Sequence, residues 1–138
     1  MAVVVDAAFA AAWFLPDERS EPTDATLHRL IREPAFVPSL FWREARNLLL
    51  NAERRRRISA GGAVAAMQRL WRLPIEDRGA GRDAATFSLA RNHQLSAYDA
   101  VYLELALAER LPLATLDRKL AAAARAEGIL VLGPLENS

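Results

Sequence analysis

Cysteine is absent from the chain, and its absence removes disulfide scaffolds, thiolate zinc sites and cysteine nucleophiles together. A reducing compartment is therefore allowed. Lysine is nearly absent too: seventeen of the 18 basic residues are arginine, Lys119 is the exception, and 17 acids bring the net charge to only +1. No overall basic bias exists, so any nucleic-acid contact must come from how charge is distributed. Histidine is scarce, and neither His28 nor His93 has a partner at metal-ligand or triad spacing. Long apolar runs are missing. Ala7 to Leu15 is too short to span a bilayer and follows Asp6 instead of a positively charged segment, which also makes it a poor secretion signal. The chain reads as a cytoplasmic protein with no membrane partner.

What remains is 138 residues, 52% of them apolar and 25% charged, the profile of a single domain over residues 1–138. A core of that size hides roughly two thirds of the surface an unfolded chain exposes, so neither disulfides nor a structural metal is needed. Val3-Val4-Val5 does not alternate with polar residues, which suits a strand buried on both faces of a parallel sheet. The pattern then predicts helices over Ala7–Leu15 and Thr23–Arg32 around a charged connector, Pro16 to Pro22. A short strand follows at Phe36-Val37. Ser39 serves as N-cap of a long helix to about Arg57, and Ser59 or Gly61 starts another with Val64, Met67, Leu70 and Trp71 at helical spacing. Leu73-Pro74-Ile75 fits an edge strand, where proline is tolerated. Helices are expected again over Asp83–Asn92, Ala97–Arg110 and Asp117–Ala126, the last closed by Gly128, with strands at Leu113–Leu116 and Ile129–Leu132. This alternation predicts an α/β fold: a three-layer α/β/α sandwich around a largely parallel sheet of four to five strands.

Four acids occupy places that call for explanation. Asp6 and Asp117 each end a strand and open a helix, at the strand ends where open α/β sheets keep their ligand crevice. Both are equally good helix N-caps. Glu44 has Leu40 and Leu48 four residues to either side, which sets a carboxylate on a core-facing stripe unless Arg43 or Arg46 pairs with it. Asn47 and Asn51 continue a polar seam from it. Asp99 stands three residues after Ser96, which approximates a capping box, yet Tyr98, Val101, Tyr102 and Leu105 surround it with apolar neighbours. If these carboxylates converge, a pair about 4 Å apart repels by roughly 4 kcal/mol at an effective dielectric near 20. Protons or a cation must relieve that. Oxygen ligands without His or Cys suit a hard ion, Mg²⁺ or Mn²⁺, which lowers the pKa of a bound water and neutralises charge on a phosphoryl oxygen. No glycine-rich phosphate loop follows the first strand, and Ala8 stands where a phosphatase of the haloacid dehalogenase type needs a second Asp.

The strand ending in Asp6, the Pro38-Ser39-Leu40 helix carrying Glu44, and the stretches Leu95-Ser96-Ala97-Tyr98-Asp99-Ala100-Val101-Tyr102 and Leu113-Ala114-Thr115-Leu116-Asp117-Arg118-Lys119-Leu120 resemble, in order and spacing, the PIN-domain ribonucleases, most closely the VapC-like toxins of toxin-antitoxin pairs. The resemblance covers nearly the whole chain. It implies a metal-dependent endoribonuclease in which Asp6, Glu44, Asp99 and Asp117 surround one or two Mg²⁺ or Mn²⁺ ions, with a homodimer, an RNA substrate and a cognate antitoxin as partners. DNA would be met only through the antitoxin. Thr115 matches the family's hydroxyl position, whereas Ala8 departs from the Ser, Thr or Asn usual two residues after the first Asp. Arg118 and Lys119 are placed to meet an RNA backbone, while Arg54 to Arg57 reads as a solvated helix end. Trp13, Trp42, Trp71, Phe41 and Phe87 fit packing better than base stacking. The rival reading is a catalytically weak module that works by binding antitoxin and regulating its own operator.

Overall fold

Three consecutive β-branched residues, all buried, make β1 (Val3–Val5) the central strand in the computed structural model, which describes residues 1–136. Around it lie β2 (Ala35–Val37), β3 (Ile75–Asp77), β4 (Leu113–Ala114) and β5 (Val131–Leu132), in the order β3-β2-β1-β4-β5. Every pairing is parallel, with Val3 opposite Ala35 and Val4 opposite Leu113. Helices α1 (Ala7–Ala12), α2 (Glu21–Arg29), α3 (Phe41–Arg54) and α4 (Gly62–Arg72) connect the strands on the β2 side; α5 (Asp83–His93), α6 (Ala97–Glu109) and α7 (Arg118–Ala126) serve the β4 side. Helix α1 packs on α3 and α3 on α4, while α5 packs on α6 and α6 on α7 and β1. Right-handed crossovers put these two groups on opposite faces of the sheet, giving the expected α/β/α sandwich. None of the helices among the described residues is long and apolar enough to cross a membrane.

Progress across the sheet changes direction at β1, whose two neighbours are reached by crossovers in opposite senses. The crevice beyond the carboxyl ends of β1 and β4 is thus the switch point where such sheets bind ligands.

Several boundaries differ from those expected. Helix α1 ends at Ala12, not Leu15: Leu15 precedes Pro16, which disfavours helix, and the Trp13 indole N–H donates to the Thr23 carbonyl at 2.8 Å. Helix α2 begins at Glu21, earlier than Thr23, because Ser20 caps it in a reciprocal box with Thr23. Ser39 does not cap α3. Its hydroxyl donates instead to Asp77 at 2.8 Å, which ties the start of α3 to the edge strand. Helix α3 stops at Arg54 and not Arg57, since Arg56 takes a left-handed φ of 60° and Arg57 N folds back to the Ala52 carbonyl. The Arg57 side chain then clamps Asp17 and Glu18, so it is not a solvated end. Gly61, not Ser59, precedes α4, at φ 83°. The edge strand β3 starts after Pro74, which has no N–H for the ladder. Strand β4 ends at Ala114 and frees Thr115 to turn toward Asp6.

Candidate active site

The four acids named from sequence come from β1's end, α3, α6 and the start of α7, and all of them line one pocket of about 220 Å³. Ala7, Ala8, Asn47, Leu48 and Tyr102 complete its wall. Capping accounts for part of the arrangement. Asp6 accepts from Phe9 N at 2.8 Å at the head of α1, and Asp117 accepts from Lys119 N and Leu120 N at 2.8 and 3.1 Å at the head of α7. These bonds engage Oδ1 of each residue and hold the carboxylate in a fixed orientation. The Ser96 hydroxyl accepts from Asp99 N at 3.1 Å, and the Asp99 side chain faces the pocket.

The second Asp6 oxygen accepts from the Thr115 hydroxyl at 2.5 Å, and Thr115 Oγ1 in turn accepts from Asp117 N at 3.0 Å. One threonine thereby links the acids at the ends of β1 and β4. Glu44 is not paired with Arg43 or Arg46. It accepts from the Tyr102 hydroxyl at 2.6 Å, across from α6. In the sequence Tyr102 reads only as an apolar neighbour of Asp99; its signal is a phenol one turn beyond that acid on a largely apolar helix. Buried tyrosines need a partner for the hydroxyl, and Glu44 supplies it from a half-buried place beside the core face of α3, which is formed by Phe41, Ala45, Leu49 and Ala52 and not by the expected Leu40–Leu48 stripe.

Burial pushes Asp6 up from its ordinary 3.8 to about 7; its bonds from Thr115 and Phe9 oppose the rise, and Asp99 and Glu44 add to it. Glu44 is raised by burial and by Asp99, against the Tyr102 hydrogen bond. Asp99 is raised by burial and by Asp117, with Ser96 and Lys119 pulling the other way. Three neighbouring carboxyls thus all resist ionisation, first through loss of water and then through mutual repulsion. Asp117 itself is exposed, as are Arg118 and Lys119 beside it. The pocket holds oxygen donors with no imidazole or thiol, which is the chemistry a hard divalent cation takes. Among the described residues no three His, Cys, Asp or Glu side chains stand close enough together to hold a metal ion by themselves; the four acids line the pocket without closing on one point.

Other residues singled out from sequence lie elsewhere. His93 bonds to Glu127 at 2.7 Å between the ends of α5 and α7, and His28 is exposed. Trp13 and Phe41 are buried; Trp71, 55% exposed, stacks on Trp42 at 3.7 Å, and Phe87 is exposed on α5. A further buried acid, Glu104, lies outside the set read from sequence. It accepts from the backbone and side chain of Arg82, away from the pocket.

Comparison with known proteins bears on the family and the fold. The family profile described as PIN domain matches residues 3–126. Ribonuclease VapC3 of Pyrobaculum aerophilum is 34% identical over 133 residues, covering 88% of this chain and 93% of that protein. Among solved structures, PAE2754 from Pyrobaculum aerophilum superposes with a TM-score of 0.70 at 23% identity, over 95% of this chain and 83% of that one. FitAcB from Neisseria gonorrhoeae gives 0.67 at 19%, over 97% and 98%. A toxin-antitoxin complex from Klebsiella pneumoniae gives 0.62 at 18%, again over 97% and 98%. With the sheet order, the acid-lined switch-point crevice and a profile match over nearly its full length, the chain belongs to the PIN domain family.

Proposed function

We propose that this chain is a metal-dependent endoribonuclease, the toxin of a toxin-antitoxin pair, which hydrolyses RNA phosphodiester bonds at the pocket formed by Asp6, Glu44, Asp99 and Asp117. The observation that carries the proposal is the meeting of these four acids, from segments spread between positions 6 and 117, in one pocket beyond the sheet's switch point. The identity to Ribonuclease VapC3 supports ribonuclease chemistry, and the likeness to a toxin-antitoxin complex supports an antitoxin partner. We take the protein to be one domain and to work as a cytoplasmic homodimer.

Mg²⁺ or Mn²⁺ held by these carboxylates supplies positive charge against the negative charge that builds on the phosphoryl oxygens and makes water more acidic. The chain's own residues do the rest. Thr115 and Phe9 N keep Asp6 fixed from two sides. The start of α7 serves twice: its backbone groups Lys119 N and Leu120 N fix Asp117, whereas the exposed Arg118 and Lys119 side chains draw in RNA phosphates. Ala8, at the pocket wall, offers no hydrogen bond where relatives in this family often carry a hydroxyl or amide, so substrate positioning falls to the remaining donors.

Purified chain, freed of any partner, is expected to cut RNA with Mg²⁺ or Mn²⁺ and to stop in EDTA. Asp99→Asn should abolish cutting while the protein still folds and still binds its antitoxin. Undiminished cutting in EDTA would reject the metal role, and loss of folding in Asp99→Asn would return that residue to a purely structural part.

A further inference from the structure

Glu44 differs from the other acids of the pocket in what holds it. Asp6 and Asp117 are fixed by backbone N–H groups of the helices they begin, and Asp99 sits beside its own cap, Ser96. Glu44 has the longest side chain of the set and lies in the first turn of α3, a helix without a side-chain cap. Its hydrogen bond comes from Tyr102, 58 positions away. Tyr102 is 2% exposed and lines the pocket. It also stands one turn after Asp99, so the same helix sets the position of one acid and the orientation of another.

We infer that Tyr102 is the positioning residue for Glu44, a neutral donor that fixes one carboxylate oxygen and leaves the other, with its charge intact, for a divalent cation; this rests on the metal reading proposed above. An arginine at this place would orient the carboxylate more strongly but would cancel the charge the cation needs. Arg43 and Arg46 are near in sequence, yet both are exposed and neither pairs with Glu44. A phenol hydroxyl gives direction without competing charge. Partners that orient ligating carboxylates in this way are worth about 10- to 100-fold in metal affinity.

The test measures Mn²⁺ affinity by electron paramagnetic resonance of the free ion, without RNA, for the full chain, Tyr102→Phe, Glu44→Ala and the double variant, with thermal unfolding recorded for each. Tyr102→Phe deletes one oxygen and keeps the ring in the core. It is expected to weaken Mn²⁺ binding by about 10- to 100-fold. In the Glu44→Ala background the same substitution should change affinity by less than about 2-fold, because the group it positions is gone. Equal affinity of Tyr102→Phe and the unsubstituted chain, or the same loss with and without Glu44, would overturn the inference and leave the tyrosine a packing residue. An unsubstituted chain that takes up no Mn²⁺ refutes the metal reading itself, a result separate from either of these.

Discussion

Replacing Asp6 with asparagine turns the electrostatics of the pocket into a stability measurement. The Asp6 carboxyl is held at about 7 by burial in the fold and returns to 3.8 when the chain unfolds. The folded state therefore binds a proton more tightly than the unfolded state does. Stability from this group is complete below pH 3.8, falls as pH rises through the interval to about 7, and stays low above it. At about 1.4 kcal/mol per pH unit, that interval amounts to roughly 4 kcal/mol. Asparagine does not titrate. It keeps an oxygen for Phe9 N but gives Thr115 a donor where the hydroxyl had an acceptor, a pH-independent loss of about 1–2 kcal/mol. The difference between the two proteins should thus change with pH even if their absolute stabilities do not rank simply. Urea unfolding in EDTA at pH 4.5 and pH 8 is the assay. Between these limits, which sample the interval only from pH 4.5 upward, Asp6→Asn is expected to gain roughly 3 kcal/mol relative to the unsubstituted chain, and on the order of 10 °C in Tm. Glu44 and Asp99, raised in the same direction, slope the same way in both proteins and largely drop out of the comparison. A difference that stays flat across the range would refute the claim that a desolvated carboxyl sits in this pocket.

Thr115→Val removes the hydroxyl that donates to Asp6 and accepts from Asp117 N; it should lower stability by about 1–3 kcal/mol in urea unfolding and reduce RNA cleavage by at least about tenfold. Lys119→Ala should raise KM for RNA and reduce the salt dependence of RNA binding by about one phosphate contact, leaving the unfolding midpoint nearly unchanged because the side chain is exposed. Gly133→Ala should lower the unfolding midpoint, because at φ 105° its added Cβ would collide with the buried Phe9 ring, and RNA cleavage should fall with it, because Phe9 N holds Asp6.

The sheet was legible because short apolar, β-branched runs alternate along the chain with longer helical segments. Val3-Val4-Val5 and the alternation of strand and helix after it were enough to give a parallel α/β fold. Boundaries were less so, for a physical reason in each case. Ser39 looks like a cap in sequence, but Asp77, 38 positions on, claims its hydroxyl, and no local pattern reports a partner that distant. The acids were visible as carboxylates at strand ends, Asp6 and Asp117, or among apolar neighbours on helices, Glu44 and Asp99. Of their supports, Thr115 was named only through the family resemblance and Tyr102 not at all: Thr115 reaches Asp6 across 109 positions and Tyr102 reaches Glu44 across 58, and only the packed sheet and helices bring these pairs together. Glu104 shows the limit of arguing from a buried acid alone, since it too lies on α6 among apolar residues and is satisfied by Arg82. What separates it from Asp99, earlier on the same helix, is the arginine facing it.

The most direct measurement of the central claim is anomalous diffraction from crystals of the chain soaked in Mn²⁺. A manganese peak is expected inside the pocket bounded by Asp6, Glu44, Asp99 and Asp117, and its loss in Asp99→Asn crystals treated alike. Active, RNA-cutting protein whose manganese lies only elsewhere on the surface would contradict it.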